Sequence, residues 1–247
     1  MKSILITGAS SGIGYGLVNK FLSNGYHIFA ISRNITPLLE LKNNNITTIQ
    51  ADITNLSDKK RILKEICNLE FNIINNAAYA VPSIFKDSTI TDIRQHFETN
   101  VFAPLELIQE LLNKNRVSRV LNISSGAAEF PLQSLLSYCS SKAAIHHAIK
   151  CLNLEYSDTK FINLRPGMVD TPLQDRWSKL DKNIFPNGDF YKNAKLNNQF
   201  ISVETVSNFV YWVMQLPIND FSKSDWNIND KIHHQNWLKN QSLHSHF

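Results

Sequence analysis

Cysteine is scarce and unpaired in spacing: three thiols in 247 residues, Cys67, Cys139 and Cys151, with no C-x-x-C among them. That excludes a disulfide framework and thiolate zinc sites, and it fits reduced thiols in a cytoplasmic protein. Glycine and proline, eight each, are too few for a collagenous or low-complexity chain. Long apolar runs are missing as well. The longest, Phe209 to Met214, has six residues, so no membrane span is expected. Charge is nearly balanced, 25 Lys+Arg against 21 Asp+Glu for a net +4, with no basic stripe of the kind nucleic-acid binding requires. The opening Met1-Lys2-Ser3 runs straight into an apolar stretch, so no signal or transit peptide is expected. No H-E-x-x-H occurs, which argues against a zinc protease. His146 and His147 are adjacent on a helical stretch, so their side chains diverge and read as partly exposed polar residues. No metal site is expected.

What is present suits a packed core: 43% hydrophobic and 19% charged residues exclude wholesale disorder. Short apolar runs of strand length fall at Ser3–Thr7, His27–Ser32, Ile46–Ala51, Phe71–Asn75, Val117–Ser124 and Lys160–Leu164. Near-continuous Ile, Val, Leu and Phe in several of them predicts strands covered on both faces. Helical spacing fills the gaps at Gly12–Asn24, Ser57–Asn68, Thr91–Asn115 and Leu136–Tyr156. A β-α alternation of this kind predicts one doubly wound α/β domain over residues 1–247, a parallel sheet of about seven strands with helices on both faces. The stretch 166–202 breaks the rhythm. Its mixed composition with Trp177, Phe185 and Phe190 predicts a substrate lid. Val203–Leu216 then reads as a helix, Asp225–Ile228 as a last strand, and His233–Phe247 as a frayed tail.

Thr7-Gly8-Ala9-Ser10-Ser11-Gly12-Ile13-Gly14 follows the first strand and opens the first helix. Glycines there allow a tight turn and close approach of a pyrophosphate to the helix N-terminus, where unpaired N–H groups and the positive dipole end lie. The spacing G-x-x-x-G-x-G with Thr7 resembles the fingerprint of the short-chain dehydrogenase/reductase family. At the end of the second strand, where NAD-selective proteins carry an acid, the residues are Ser32, Arg33 and Asn34. A guanidinium without a neighbouring acid favours a 2′-phosphate, hence NADP(H).

Tyr138 and Lys142 stand four apart on one helical face. A phenol of ordinary pKa, about 10, is too weak an acid near neutrality, and an ammonium one turn away is expected to lower it. Tyr138 could then protonate a carbonyl oxygen during hydride transfer.

The family resemblance spans roughly residues 3–230 and implies further assignments. It places Ser125, 13 positions before Tyr138, as the hydroxyl that holds the substrate oxygen. Asn100 is implied as the holder of a water beside Lys142, and Lys142 as a ligand of the nicotinamide ribose. Asp52 and Ile53 are implied against the adenine, and Asn76, Ala77 and Ala78 along the cofactor, where the family's Asn-Asn-Ala-Gly has its last Gly replaced by Ala78. Pro166, Gly167, Val169 and Thr171 resemble the Pro-Gly-x-x-x-Thr segment that meets the nicotinamide carboxamide. The stretch around Ser125, Tyr138 and Gln174, with Phe221–Ser224 and Asn229–Lys231, resembles the sepiapterin reductase and benzil reductase branch, and Asn227 falls where the former anchors its pterin by an Asp. The resemblance implies an NADPH-dependent reductase of a small carbonyl or dicarbonyl compound, working as a homodimer or homotetramer. The alternative is a non-catalytic NADPH-binding sensor on the same scaffold; retention of Tyr138, Ser125 and Lys142 favours the enzyme.

Overall fold

The computed structural model describes residues 2–66, 69–217 and 224–238. Cys67, Phe221–Lys223 of the branch resemblance and the last nine residues of the expected tail lie outside them.

The strands are β1 (Ser3–Thr7), β2 (His27–Ser32), β3 (Ile46–Gln50), β4 (Glu70–Asn75), β5 (Arg116–Ile123), β6 (Lys160–Arg165) and β7 (Asp225–Asn227). They form one seven-stranded sheet in the order β3-β2-β1-β4-β5-β6-β7, every pairing parallel. The expected doubly wound parallel sheet is the observed fold. Alternation along the strands sorts side chains to the two faces. Ile4, Ile6, Ile28, Ile74, Leu121, Ile162 and Leu164 pack on one side against α1 (Gly12–Leu22), α9 (Val203–Gln215) and α10 (His234–Trp237). Leu5, Phe29, Ile73, Val120 and Phe161 pack on the other against α3 (Leu56–Glu65), α5 (Ala103–Lys114) and α6 (Leu136–Glu155). The strand order reverses between β1 and β4, and the C-terminal ends of the strands around that switch point open the crevice in which such sheets bind ligands.

Four departures from the sequence reading have clear causes. The helix expected over 91–115 is split into α4 (Ile90–Phe97), a π-helical turn at Glu98–Phe102 and α5; apolar periodicity does not register one extra residue per turn. A short helix, α2 (Thr36–Leu39), follows β2. The 166–202 stretch is not an irregular loop, because it contains α7 (Pro172–Trp177) and α8 (Gly188–Leu196). The start of the expected tail is packed: His233 is buried and stacks on Phe209 and Trp212, and Trp237 is buried against Phe209. Aromatic side chains carry enough apolar area to hold a polar segment down.

A ladder of buried amides crosses the sheet under the crevice. Thr7 Oγ1 donates to Asn75 Oδ1, Asn75 Nδ2 to Asn122 Oδ1 at 2.8 Å, Asn122 Nδ2 to Asn163 Oδ1 at 2.9 Å, and Asn163 Nδ2 to the His146 carbonyl at 2.8 Å. Asn75, Asn122 and Asn163 face one another in the strand register. Such a network is tolerable in a core because its members satisfy one another.

Candidate active site

At the C-terminal ends of the strands lies a cavity of about 1250 Å³, large enough for a dinucleotide and a second small molecule.

One end is built by the glycine loop. Gly8 has φ +64°, a conformation that side chains disfavour. A Cβ on Gly14 would stand 2.1 Å from the Gly8 carbonyl oxygen, so only glycine lets α1 start this close beneath the loop. Thr7 Oγ1 accepts the Asn76 and Ala77 N–H groups, and Asn76 Nδ2 donates to the Thr7 and Gly8 carbonyls. The β1 and β4 ends are thereby locked together. Ser11 is the N-cap of α1, yet its side chain accepts no bond from the first-turn amides. Gly8, Ser10, Ser11, Gly12 and Ile13 line the cavity, whereas Gly14 shapes the loop from behind.

Ser32, Arg33 and Asn34 line the next part. Ser32 and Ser10 hydroxyls are 2.6 Å apart. The Arg33 side chain is 79% exposed, with its guanidinium 3.9 Å from the Asp52 carboxylate. Asp52 turns its Oδ1 back to the N–H and hydroxyl of Thr54. Asp52, Ile53, Ala77 and Ala78 line the wall with Asn76, and Pro166, Gly167, Val169 and Thr171 line the opposite side. Thr171 packs 3.2 Å from where a Gly12 Cβ would be, so the segment after β6 closes onto the glycine loop.

Tyr138, Ser125 and Lys142 all line the cavity. The Ser125 side chain stands beside the Tyr138 phenol and favours its ionised form, and Lys142 Nζ donates to the Ile123 carbonyl at 2.9 Å, 6.0 Å from the Tyr138 ring centre. The expected lowering of the phenol's pKa is not what the surroundings produce. Burial pushes Tyr138 up to about 12, against a smaller lowering by Ser125, and burial pushes Lys142 down to about 8. Loss of hydration outweighs any stabilisation that the ammonium offers the phenolate.

Asn100 does not reach the cavity. Its Oδ1 accepts the Tyr79 N–H at 2.7 Å, and its Nδ2 donates to the Tyr79 carbonyl and to Ser141 Oγ. The side chain ties the Tyr79 loop to α6 from within the π turn. His146, expected to be partly exposed, is buried at 6% exposure and bonded to Ser124 and Asp225. The driving difference is tertiary: β5 and β7 bring two polar partners to that face of α6.

Trp177 of α7 is buried and meets the Tyr138 ring edge-on at 5.9 Å. It lines the cavity with Tyr191 and Phe190 of α8. Phe185 does not line it and instead backs Trp177 at 5.6 Å. Tyr79, Phe130, Leu132, Leu173 and Tyr191 also form the wall and were missed, because single apolar residues in loops or in helices as short as α7 and α8 carry no clear periodic signal. Gln174 Oε1 and Asn229 Oδ1 are buried on this wall without a protein partner, and Asn227 lines it too. Among the described residues Cys139 and Cys151 are free thiols.

Residues 2–182 match the family model described as short chain dehydrogenase. The chain belongs to this family. It is therefore an oxidoreductase of the short-chain dehydrogenase fold, whose reductase relatives act on small molecules. It is similar to 3-amino-tetrahydro-pyrrolizinone reductase of Xenorhabdus hominickii, with 29% identity covering 90% of this chain and 80% of the relative. It is also 29% identical to benzil reductase ((S)-benzoin forming) of Bacillus subtilis (strain 168), covering 70% of this chain and 77% of that one. Among solved structures, the KRED1-Pglu enzyme superposes with a TM-score of 0.82 over 92% of this chain and 100% of its own, at 22% identity, a likeness of fold. No described helix is long and apolar enough to cross a membrane.

Proposed function

We propose that this short-chain dehydrogenase reduces a small carbonyl or dicarbonyl compound with NADPH, Tyr138 giving the proton. The observation that carries the reading is the convergence of Tyr138, Ser125 and Lys142 on one cavity that the glycine loop also lines.

The residues present fit the dinucleotide. The Gly8–Gly14 cradle that a Cβ would fill and the uncapped start of α1 suit a pyrophosphate. Exposed Arg33, with Ser32 and Asn34, suits a 2′-phosphate. Asp52 and Ile53 would flank the adenine, Asn76, Ala77 and Ala78 would line the middle, and Pro166, Gly167, Val169 and Thr171 would hold the carboxamide end. When bound, NADPH supplies the hydride.

The protein's part is the proton and the orientation. A phenol held near 12 stays protonated at neutral pH, the form that a proton donor needs. Ser125 would share the carbonyl oxygen and aim it at the phenol O–H, and Lys142 would hold the ribose and place positive charge near the oxygen that becomes negative. Asn100 would act through Tyr79 and Ser141, keeping that wall and α6 in place. Trp177, Tyr191 and Leu173 would offer an apolar surface to the rest of the substrate, and α7 and α8 would cover it.

NADPH consumption against diketones, quinones and pterins, with NADH as control, tests the reading. Tyr138→Phe should lose at least about a hundredfold in kcat, the scale of general-acid catalysis, while binding NADPH as the wild type does. Undiminished turnover by that variant refutes the role of Tyr138.

A further inference from the structure

Three consecutive residues at the end of β5 each meet a side chain of α6. The Ile123 carbonyl accepts from Lys142 Nζ at 2.9 Å, the Ser124 hydroxyl is 2.8 Å from His146 Nδ1, and the Ser125 side chain stands beside the Tyr138 phenol. On α6 the three partners stand at 138, 142 and 146, one row with a turn between neighbours. Two of these contacts involve groups already given chemical roles. The third, at His146, has none.

His146 is buried, and its other nitrogen, Nε2, lies 3.1 Å from Asp225 Oδ2 on β7. A carboxylate only accepts, so Nε2 carries hydrogen, and in the neutral ring Nδ1 accepts the Ser124 O–H. Asp225 is itself held from two sides. Arg165 Nε of β6 lies 3.4 Å from Oδ1 and Lys150 Nζ of α6 lies 3.4 Å from Oδ2. Arg165 also pairs with Glu129. Glu129, His146 and Asp225 bring their ligand atoms within 4.8 Å of one another, but Arg165 joins both carboxylates and so fills the place a metal cation would take. The backbone carbonyl of His146 closes the amide ladder through Asn163.

We propose that His146 is a positioning residue for the Tyr138–Ser125 pair, acting through Ser124. The inference rests on the reductase reading of that pair. The Lys142 bond and the Ser124 N–H bond to the Leu164 carbonyl at 2.8 Å fasten the backbone of the strand end, which leaves a twist of the chain beyond the Ser124 N–H. Ser124 and Ser125 are neighbours, so a rotation that frees the Ser124 hydroxyl also swings Ser125 away from the phenol. A second fastening at Ser124, anchored through His146 to the charged cluster on β7, removes that rotation.

Three variants test it: His146→Leu, which removes both ring bonds, His146→Gln, whose amide can accept from Ser124 and donate toward Asp225, and Ser124→Ala. With a diketone substrate, His146→Leu and Ser124→Ala should each lower kcat by roughly tenfold with KM for NADPH within about twofold, a loss of orientation rather than of binding. His146→Gln should retain most of kcat, and the Ser124→Ala/His146→Leu double variant should be no slower than the slower single variant, since both break one tie. Amide hydrogen exchange over residues 123–127 should quicken in His146→Leu and Ser124→Ala but not in His146→Gln. Wild-type kcat in His146→Leu with a lowered Tm alone, additive losses in the double variant, or unchanged exchange in both disrupted variants each overturns the proposal. If His146→Leu fails to fold, Ser124→Ala, which deletes a single hydroxyl, decides by kcat and exchange. Absence of any carbonyl turnover in the wild type refutes the reductase reading, and the exchange data then still decide whether His146 holds the strand.

Discussion

At the scale of single residues, burial governs the chemistry of this site more than neighbouring charge does. Lys142 and Tyr138 share one helix face, but enclosure drives the amine down to about 8 and the phenol up to about 12. Reduction needs the phenol protonated, and that form persists across the physiological range. The ammonium is the fragile partner: with a folded value near 8 it is charged below that pH and lost above it. We expect kcat/KM for carbonyl reduction to fall as pH rises through about 8; a profile flat to pH 10 would contradict this. Arg33 makes a second residue-level case. Removing one charge-assisted phosphate contact costs about 1.5–3 kcal/mol, or roughly 10–100-fold. Arg33→Ala should therefore weaken NADPH by that factor and leave NADH affinity nearly unchanged, as titrations of both would read. An unaltered preference would remove the 2′-phosphate from this corner. The places of Tyr138, Lys142 and Arg33 on the cavity wall were legible in the sequence, the first two from helical spacing and the third from its position after a strand. The ionisation of Tyr138 and Lys142 was not legible, since enclosure is contributed by residues far along the chain.

At the scale of elements, close approach of backbones sets the cofactor end. The start of α1 lies so near the Gly8 carbonyl that one methyl has no space. Gly14→Ala should push α1 away from β1 and cost on the order of 1–3 kcal/mol, the usual penalty of overpacking, together with most NADPH affinity; urea unfolding and cofactor titration would measure the two losses. The glycine spacing made this contact readable in advance. The π turn at Glu98–Phe102 was not readable, since its apolar residues fit an uninterrupted helix equally well. Its effect is to set Asn100 facing the Tyr79 loop and Ser141 rather than the cavity. Likewise α7 and α8 draw their order from Trp177, Phe185 and Tyr191, which pack on one another only in the folded state.

For the molecule as a whole, the weak edge of the sheet is the three-residue β7, and ion pairs secure it. Burial alone would raise the Asp225 carboxyl, but the His146 hydrogen bond, Arg165 and Lys150 prevail and bring it down to about 2 from an ordinary 3.8. A carboxylate depressed on folding lends stability above its unfolded value and loses it as pH falls through the folded one. The difference corresponds to about 2 kcal/mol. Wild type should exceed Asp225→Asn by about that amount above pH 4, and the gap should close toward pH 2, as paired urea titrations would show. A gap independent of pH would mean that the carboxylate's charge contributes nothing to holding β7.

The order of strands and helices, the glycine loop and the placing of Tyr138 and Lys142 on one helix face were determined by the sequence itself, because apolar periodicity, glycine placement and helical spacing act over a few residues. Tertiary structure alone decided the protonation of the phenol, the withdrawal of Asn100 from the cavity, the aromatic wall of α7 and α8, and the burial of His146 between Ser124 and Asp225. Each of those depends on groups from separate strands and helices meeting in a volume shielded from water, and sequence distance carries no record of that enclosure.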